Sequence, residues 1–146
     1  MERYSEQLYN KILNQIVIPI VGKEETNSSE LDIICKMWFK NKFKGVYPSD
    51  QTPHLTILRP YAIINVDKSN ESGTHWVAMA HCRGKTYMYD SFGRDIDKLI
   101  PSINKNYKNI DTSDAEQKIT QNSCGARCIA FLLLVERFGM KYAKHV

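Results

Sequence analysis

The apolar segment Ile129–Val135 constrains the fold of this chain more than any other feature of its sequence. Apolar side chains occupy nearly every side of a helix drawn from Cys124 to Phe138, and such a helix is usually buried. The segment is too short to cross a membrane, because a span needs roughly 18 consecutive apolar residues. We therefore expect a globular fold in which other elements surround one central helix.

Two stretches near the N-terminus carry apolar residues at helical spacing. The first, Tyr4–Ile16, should end before Pro19 because proline interrupts a helix. The second should begin at Glu30, with the Ser29 hydroxyl as its N-cap. The prolines and the glycine of Gly45–Pro53 then predict turns and irregular chain.

In the middle of the chain the period of the apolar residues changes from helical to alternating, which predicts β-strands. Cys82-Arg-Gly84, between two of these segments, is typical of a β-hairpin turn. Helices on both sides of a group of strands indicate an α+β domain. The elements predicted here are strands at Ala62–Val66, His75–His81 and Lys85–Asp90, a helix at Asp95–Ile103 and a late strand near Ile110.

Length and composition narrow the class of protein. The chain has 146 residues, which fits a single domain spanning residues 1–146. Its N-terminus lacks the pattern of a signal sequence, so we expect a protein that is not secreted. The 4 cysteines form no CxxC pair, which fits free thiols in a reducing compartment. The net charge of +4 is mild and spread out, as on a solvated surface.

Cys124 stands where the central helix begins, and this position favours reactivity of its thiol. Unpaired backbone N–H groups and the positive end of the helix dipole both favour a thiolate there. Gly125 leaves the adjacent backbone bare, so a substrate carbonyl can approach the sulfur and the nearby N–H groups. The alternative interpretation is a small buried cysteine at the start of a core helix.

A cysteine nucleophile needs a base, and His75 is the best placed histidine because it begins a predicted strand. Trp76 beside it can shield one side of a site from water. Pairing the two hairpin strands brings His75 opposite the region near Asp90, which makes Asp90 the candidate that orients the imidazole. Taken alone, Asp90 fits equally well as a turn residue. The other histidines lie in a loop, at a strand end and in the C-terminal tail: His54, His81 and His145.

Acyl transfer creates an oxyanion, which a side-chain amide can stabilise together with the Cys124 N–H. Gln117 and Gln121 are both candidates, and either fits equally well as a solvent-facing loop residue. A metal site is another interpretation of the thiols and imidazoles, but the ligand spacing of structural zinc is absent, and we expect no metal and no cofactor. We expect Cys128 to be a packed thiol. The ligands considered are His75, His81, Cys82, Cys124 and Cys128.

Three motifs follow one another along the chain: Gly73-Thr-His-Trp-Val-Ala78, Tyr87-Met-Tyr-Asp-Ser-Phe-Gly93 and, after Gln117, Asn122-Ser-Cys-Gly-Ala-Arg-Cys128. Together they resemble the adenain family, the maturation proteases of adenoviruses, with relatives in other DNA viruses, virophages and virus-like transposons. That family is similar in turn to the cellular proteases that process SUMO and other ubiquitin-like proteins. Each motif is modest alone, and the three in this order and spacing are specific.

The resemblance implies a papain-like cysteine protease fold with the connectivity of adenain and the SUMO proteases, its central helix packed on a mostly antiparallel sheet. It implies Cys124 as the nucleophile, His75 as the general base and Asp90 as the orienting acid, where adenain has a glutamate. It also implies Gln117 as the oxyanion-hole amide, because its separation from the cysteine matches that in adenain. Gln121 is then the lesser candidate.

The resemblance also sets the expected boundaries and partners. Residues 29–138 would form the protease core, and residues 1–28 a helical extension that completes the core, binds a partner or covers the substrate groove. No cysteine lies between Asp90 and Gln117 to match the one with which adenain binds its activating peptide, which argues against a disulfide-linked peptide. A weak contact with DNA is consistent with the mild positive charge, and no membrane partner is expected.

The leading hypothesis is a viral cysteine endopeptidase that cleaves capsid or core precursor proteins after small residues, at Gly-containing sites, during virion maturation. The resemblance implies a narrow substrate tunnel flanked by Trp76, with Gly125 and Gln121 as further substrate contacts. It implies a location in the virion and in the virus factory of the host cell. The alternatives are a protease acting on SUMO or other ubiquitin-like modifiers, and a catalytically silent module that binds a peptide. A caspase-like site is excluded because the Gln-Ala-Cys-x-Gly motif is absent.

Overall fold

The structure is a computed structural model that describes residues 2–22, 26–66, 75–91, 100, 107–109 and 124–146. It combines helices with a five-stranded sheet and so confirms the predicted α+β class. The helices are α1 (Glu2–Ile12), α2 (Ile18–Val21), α3 (Ser28–Phe39), α4 (Cys124–Phe138) and α5 (Met140–Ala143), and the strands are β1 (Phe43–Pro48), β2 (Tyr61–Asn65), β3 (Trp76–Cys82), β4 (Lys85–Tyr89) and β5 (Tyr107–Asn109).

The first helical region continues past its predicted end. A π-helical turn at Leu13–Val17 joins α1 to α2, and the helical backbone continues through Pro19. Proline is tolerated there because it lies in the first turn of α2, where its missing N–H leaves little unsatisfied. Tyr9 and Val17 are fully buried in the main core. Part of the predicted 1–28 extension therefore contributes to the core.

Helix α3 begins at Ser28, and its N-cap is Asn27 rather than the predicted Ser29. The Asn27 side-chain oxygen accepts a hydrogen bond from the Glu30 backbone N–H at 2.9 Å, and the Asn27 amide donates to the Glu30 carboxylate. This reciprocal pair resembles a capping box and explains why the earlier residue caps the helix. The buried face of the helix consists of Leu31, Cys35 and Phe39.

The prediction of irregular chain at Gly45–Pro53 is wrong for its first part, which belongs to strand β1. This strand pairs in parallel with β2, with an irregularity in register between Phe43 and Gly45. Pro48 ends the strand at the edge of the sheet, a position where proline is tolerated. The neighbouring strand, rather than the local sequence, makes this segment a strand.

The five strands lie in the order β1-β2-β3-β4-β5. The two central pairings are antiparallel and the two outer pairings are parallel, so the sheet expected to be mostly antiparallel is mixed. Long stretches of chain separate the partners of each outer pair, as parallel neighbours require. The β3–β4 hairpin turns at Arg83 and Gly84, which have φ of 52° and 76° and so suit a two-residue type I′ turn.

Helix α4 spans Cys124–Phe138, the range predicted from the sequence. Every residue from Cys128 to Val135 is buried, and the helix packs on β3 in the main core. The Phe131 ring stacks on Tyr89 with 4.6 Å between ring centroids, and the Tyr89 hydroxyl is hydrogen-bonded to that of Tyr9 at 2.7 Å. The N-terminal region, the sheet and the central helix therefore share one core.

The other predicted strands and helices are confirmed in part and lie in part outside the described residues. The three central strands are confirmed to within a residue at each end. The predicted helix at Asp95–Ile103 lies outside the described residues except for Ile100, which is buried, and Ile110 lies outside them directly after β5. Within the described ranges, no helix combines the length and the apolar character that a bilayer span needs.

Candidate active site

His75 and Asp90 lie at one end of the β3–β4 hairpin, His75 directly before β3 and Asp90 directly after β4. The register pairs Ala78 with Tyr89, so its continuation pairs Val77 with Asp90 and makes His75 a diagonal neighbour of Asp90. The distance from His75 Nε2 to Asp90 Oδ1 is 2.5 Å, and the two residues are 7% and 3% exposed. Strand pairing thus brings the imidazole to the carboxylate.

The His75–Asp90 hydrogen bond has a defined direction when the carboxylate is ionised. A carboxylate then only accepts, so His75 Nε2–H donates to Asp90. The neutral imidazole keeps its lone pair on Nδ1, the atom that can take a proton from another group. The carboxylate also stabilises the imidazolium that forms when Nδ1 is protonated. The pair can therefore act as an oriented base.

Cys124 is the first residue of α4 and is 3% exposed. Cys128, one turn further along the helix, is fully buried. Burial raises the pKa of the Cys128 thiol well above its ordinary value, and the charges of Cys124 and Asp90 raise it further. Both groups therefore lie within electrostatic reach of one thiol. The start of the helix also lies near the strand that follows His75, because Gly125 and Trp76 both contact Thr26.

Two other buried thiols have the environment of core residues. Burial and, to a lesser degree, the charge of Asp32 raise the pKa of the Cys35 thiol. The pKa of the Cys128 thiol is raised as well. A thiol held in its neutral form is a poor nucleophile. Cys35 and Cys128 therefore suit packing rather than chemistry.

Thr26 contacts the residues that directly follow His75 and Cys124 in the sequence. The Trp76 Nε1–H donates to the Thr26 carbonyl oxygen at 3.1 Å, and the indole is 2% exposed. At Gly125, an added Cβ would collide with Thr26 Oγ1. Sequence reasoning missed Thr26, because it lies in a polar loop with no motif and its contacts join segments far apart in the chain.

A cleft of about 640 Å³ opens at the opposite end of the hairpin, beside the C-terminus of α4. Its described lining includes four cationic side chains and no acidic one, and it offers two aromatic rings and a thiol. A surface of this kind suits an anionic group. The polar and aromatic lining residues are Cys82, Arg83, Lys85, Tyr87, Phe138, Lys141 and Lys144.

The profile of one protein family, described as adenovirus endoprotease, matches residues 42–145. The match covers well over half of the chain, including every described strand and α4. The chain belongs to the adenovirus endoprotease family. Among curated proteins, no individual sequence matches it.

Membership of the adenovirus endoprotease family makes the chain a viral cysteine protease that hydrolyses polypeptides in the virion or the host cell. The matched range begins after α3, so the first three helices and Thr26 precede the part that the family profile describes. The site residues have to be assigned from the geometry of this chain.

The structure does not describe every residue that the sequence placed in the protease site. Gln117 and Gln121 lie outside the described residues, so the oxyanion-hole amide stays a prediction. Trp76 and Gly125 contact Thr26, and their contacts with substrate also stay predictions. In the part of the chain that the structure describes, no three His, Cys, Asp or Glu side chains are grouped as metal ligands would be.

Proposed function

We propose that this protease uses Cys124, His75 and Asp90 as a catalytic triad and cleaves viral capsid or core precursor proteins during virion maturation. The observation that carries the proposal is the buried 2.5 Å hydrogen bond between His75 and Asp90. A common location with the nucleophile is supported by the Cys128 thiol, whose pKa is raised by both Cys124 and Asp90. The chain order His, Asp, Cys is consistent with a papain-like fold in the adenain connectivity.

The first half of the reaction forms an acyl-enzyme. His75 Nδ1 takes the proton from Cys124 Sγ, and the sulfur attacks the scissile carbonyl carbon. The carbonyl electron pair moves to oxygen, and the Cys124 N–H together with the Gln117 amide stabilises the oxyanion. As the intermediate collapses, His75 gives its proton to the leaving amine and a thioester to Cys124 remains. Asp90 stabilises the imidazolium throughout.

The second half of the reaction hydrolyses the thioester. Water gives a proton to His75 Nδ1 and adds to the thioester carbonyl, which again places an oxyanion beside the Cys124 N–H. When the C–S bond breaks, the sulfur keeps the electron pair and regains the proton from His75. The carboxylic acid product leaves, and the enzyme returns to its starting state.

Close packing around Cys124 supports cleavage after small residues. Cys124 and Trp76 are each almost completely buried, and Gly125 lies against Thr26. A large side chain next to the scissile bond would have to displace these groups, whereas glycine needs no such space. We propose Trp76, Gly125 and Gln121 as the residues that contact this part of the substrate.

Hydrolysis of a Gly-Gly reporter peptide tests the triad. Cys124→Ala and His75→Ala should abolish hydrolysis, while Cys82→Ala and His81→Ala, which lie at the other end of β3, serve as matched controls. Hydrolysis retained by Cys124→Ala would refute the assignment. Rapid reaction of Cys124 with a SUMO or ubiquitin C-terminal electrophile would favour the modifier-protease alternative. A thiol probe that labels Cys124 no faster than Cys82 would favour the silent binding module.

A weak contact with DNA belongs to the same proposal, and the cation-lined cleft is its candidate location. Arg83, Lys85, Lys141 and Lys144 line the cleft, where they can meet phosphate groups. The cleft lies at the end of β3 remote from His75. DNA bound there would not block the peptide site.

A further inference from the structure

We propose that Thr26 is a positioning residue that sets the spacing between the base and the nucleophile, by holding the residue that follows each of them. The inference rests on the proposed roles of His75 and Cys124. It adds a component from the N-terminal region, which precedes the family match at residues 42–145.

The first contact fixes the strand that carries the base. The Trp76 indole N–H donates to the Thr26 carbonyl oxygen at 3.1 Å, and both residues are buried, with 2% and 4% of their surface exposed. A hydrogen bond shielded from water is not exchanged for one with solvent. Because Trp76 is bonded covalently to His75, this contact restrains the backbone of the base.

The second contact fixes the start of the helix that carries the nucleophile. A Cβ at Gly125 would collide with Thr26 Oγ1 and would lie 3.1 Å from Leu31 Cδ2. Leu31 is fully buried on α3. The first turn of α4 therefore packs directly on Thr26 and Leu31. Since Gly125 is bonded to Cys124, this contact restrains the backbone of the nucleophile.

Removal of the Thr26 hydroxyl can show whether Thr26 acts through its shape or through hydrogen bonding of its side chain. Its Oγ1 is buried with no hydrogen-bond partner among the described residues, which is an unfavourable state for a polar atom. Valine has nearly the same shape and no hydroxyl. If Thr26 acts through packing and through its main-chain carbonyl, Thr26→Val should preserve function, whereas Thr26→Gly should not.

The experiment measures peptide hydrolysis and the pH dependence of Cys124 alkylation in the full chain. In Thr26→Gly, we expect kcat to fall by about tenfold to a hundredfold with KM changed less than about threefold, because a small misplacement of reacting groups has effects of this size. The alkylation midpoint should move toward that of an ordinary thiol, near pH 8.5. Thr26→Val should keep kcat within about threefold of wild type and leave the alkylation midpoint close to the wild-type value.

Trp76→Phe provides the second variant, because it removes the indole donor and retains a ring. It should shift the alkylation midpoint in the same direction as Thr26→Gly, and this midpoint carries the test if Thr26→Gly does not fold, because kcat would also respond to the proposed contact of Trp76 with substrate. Folded variants with wild-type kcat and midpoint would overturn the inference, as would a lower melting temperature with an unchanged midpoint. Failure of the proposed function is distinct, because the wild-type chain would then show no Cys124-dependent hydrolysis.

Discussion

The two ends of the β3–β4 hairpin hold similar residue types in different surroundings. At the closed end, defined by His75 and Asp90 and by Cys124 as their proposed nucleophile, the imidazole is 7% exposed and lies 2.5 Å from a carboxylate. At the open end, defined by His81, Cys82 and the cation-lined cleft, both residues are half-buried. The His81 imidazole makes a long contact of 3.5 Å with a threonine hydroxyl.

The central helix explains part of this difference. Helix α4 begins near the closed end, where Gly125 and Trp76 both contact Thr26, and ends at the open end, where Phe138 lines the cleft. The positive end of its dipole favours a thiolate at Cys124, and the negative end favours cations such as Lys141 and Lys144. Exclusion of water strengthens the hydrogen bond at the closed end further. Helix direction and burial, rather than residue type, distinguish the two ends.

Substitution of the nucleophile or the base by alanine should give the largest difference in activity between variants at the two ends of the hairpin. Cys124→Ala and His75→Ala should each lower kcat/KM for a reporter peptide by about a thousandfold or more, since the groups act as a unit. Cys82→Ala and His81→Ala should stay within about twofold of wild type. A comparable loss in the open-end variants would break the comparison.

Asp90→Asn should cause a smaller loss of activity and so show how much the carboxylate charge contributes at the closed end. The amide oxygen still accepts the His75 Nε2–H, but it lacks the charge that stabilises the imidazolium. We expect kcat to fall about tenfold to a hundredfold with little change in the melting temperature. Activity equal to wild type would mean that the buried carboxylate only holds the structure.

Gly125→Ala should destabilise the closed end by about 1–3 kcal/mol, because the added methyl group overpacks the contact with Thr26. Urea unfolding measures the change. The penalty should shrink when Thr26→Ala is added, since that change removes the hydroxyl that the methyl group would meet. Equal penalties in the two backgrounds would show that Thr26 is not the obstacle.

Glu136 gives a pH-dependent prediction at the C-terminal part of α4. Burial raises the pKa of its carboxyl, but hydrogen bonds from Lys42 and Tyr61 outweigh burial, and the net pKa is lowered. A carboxyl whose pKa falls on folding adds stability above its unfolded value, about 4.3, and loses it as the pH falls through the folded value. Glu136→Gln should therefore lower the free energy of unfolding by up to about 1 kcal/mol at neutral pH.

The effect of Glu136→Gln should shrink as the pH falls through the lowered pKa of the folded state, because the wild-type carboxyl then becomes protonated as well. Urea unfolding at neutral and acidic pH gives the two values. A penalty that is the same at both pH values would show that the charge of Glu136 is not its source.

Charge reversal in the cleft should have the smallest effect. Lys141→Glu should leave peptide hydrolysis without DNA unchanged, weaken DNA binding a few-fold, and lower the salt dependence of log K by about one. Fluorescence anisotropy over a salt series measures both quantities. Unchanged DNA affinity would remove the cleft from the proposal and leave its cations as partners of the helix dipole.

The sequence predicted those features that a single segment encodes. Helix α4 follows from one apolar run, and the central hairpin follows from alternation around Arg83-Gly84. The register of that hairpin in turn predicts that His75 lies near Asp90, because the turn determines which residues of the two strands are opposite each other. The prediction was wrong where two neighbouring residues could both cap a helix. Asn27 rather than Ser29 is the N-cap of α3, because Asn27 forms hydrogen bonds with Glu30.

Tertiary structure alone decided the features that need a distant partner. Strand β1 exists because β2 completes its hydrogen bonds. Thr26 has no signal in its own segment, yet it lies against Trp76 and Gly125. The physical reason is that helix capping, turn geometry and apolar periodicity act over a few residues, whereas burial and contacts across the core depend on the whole chain.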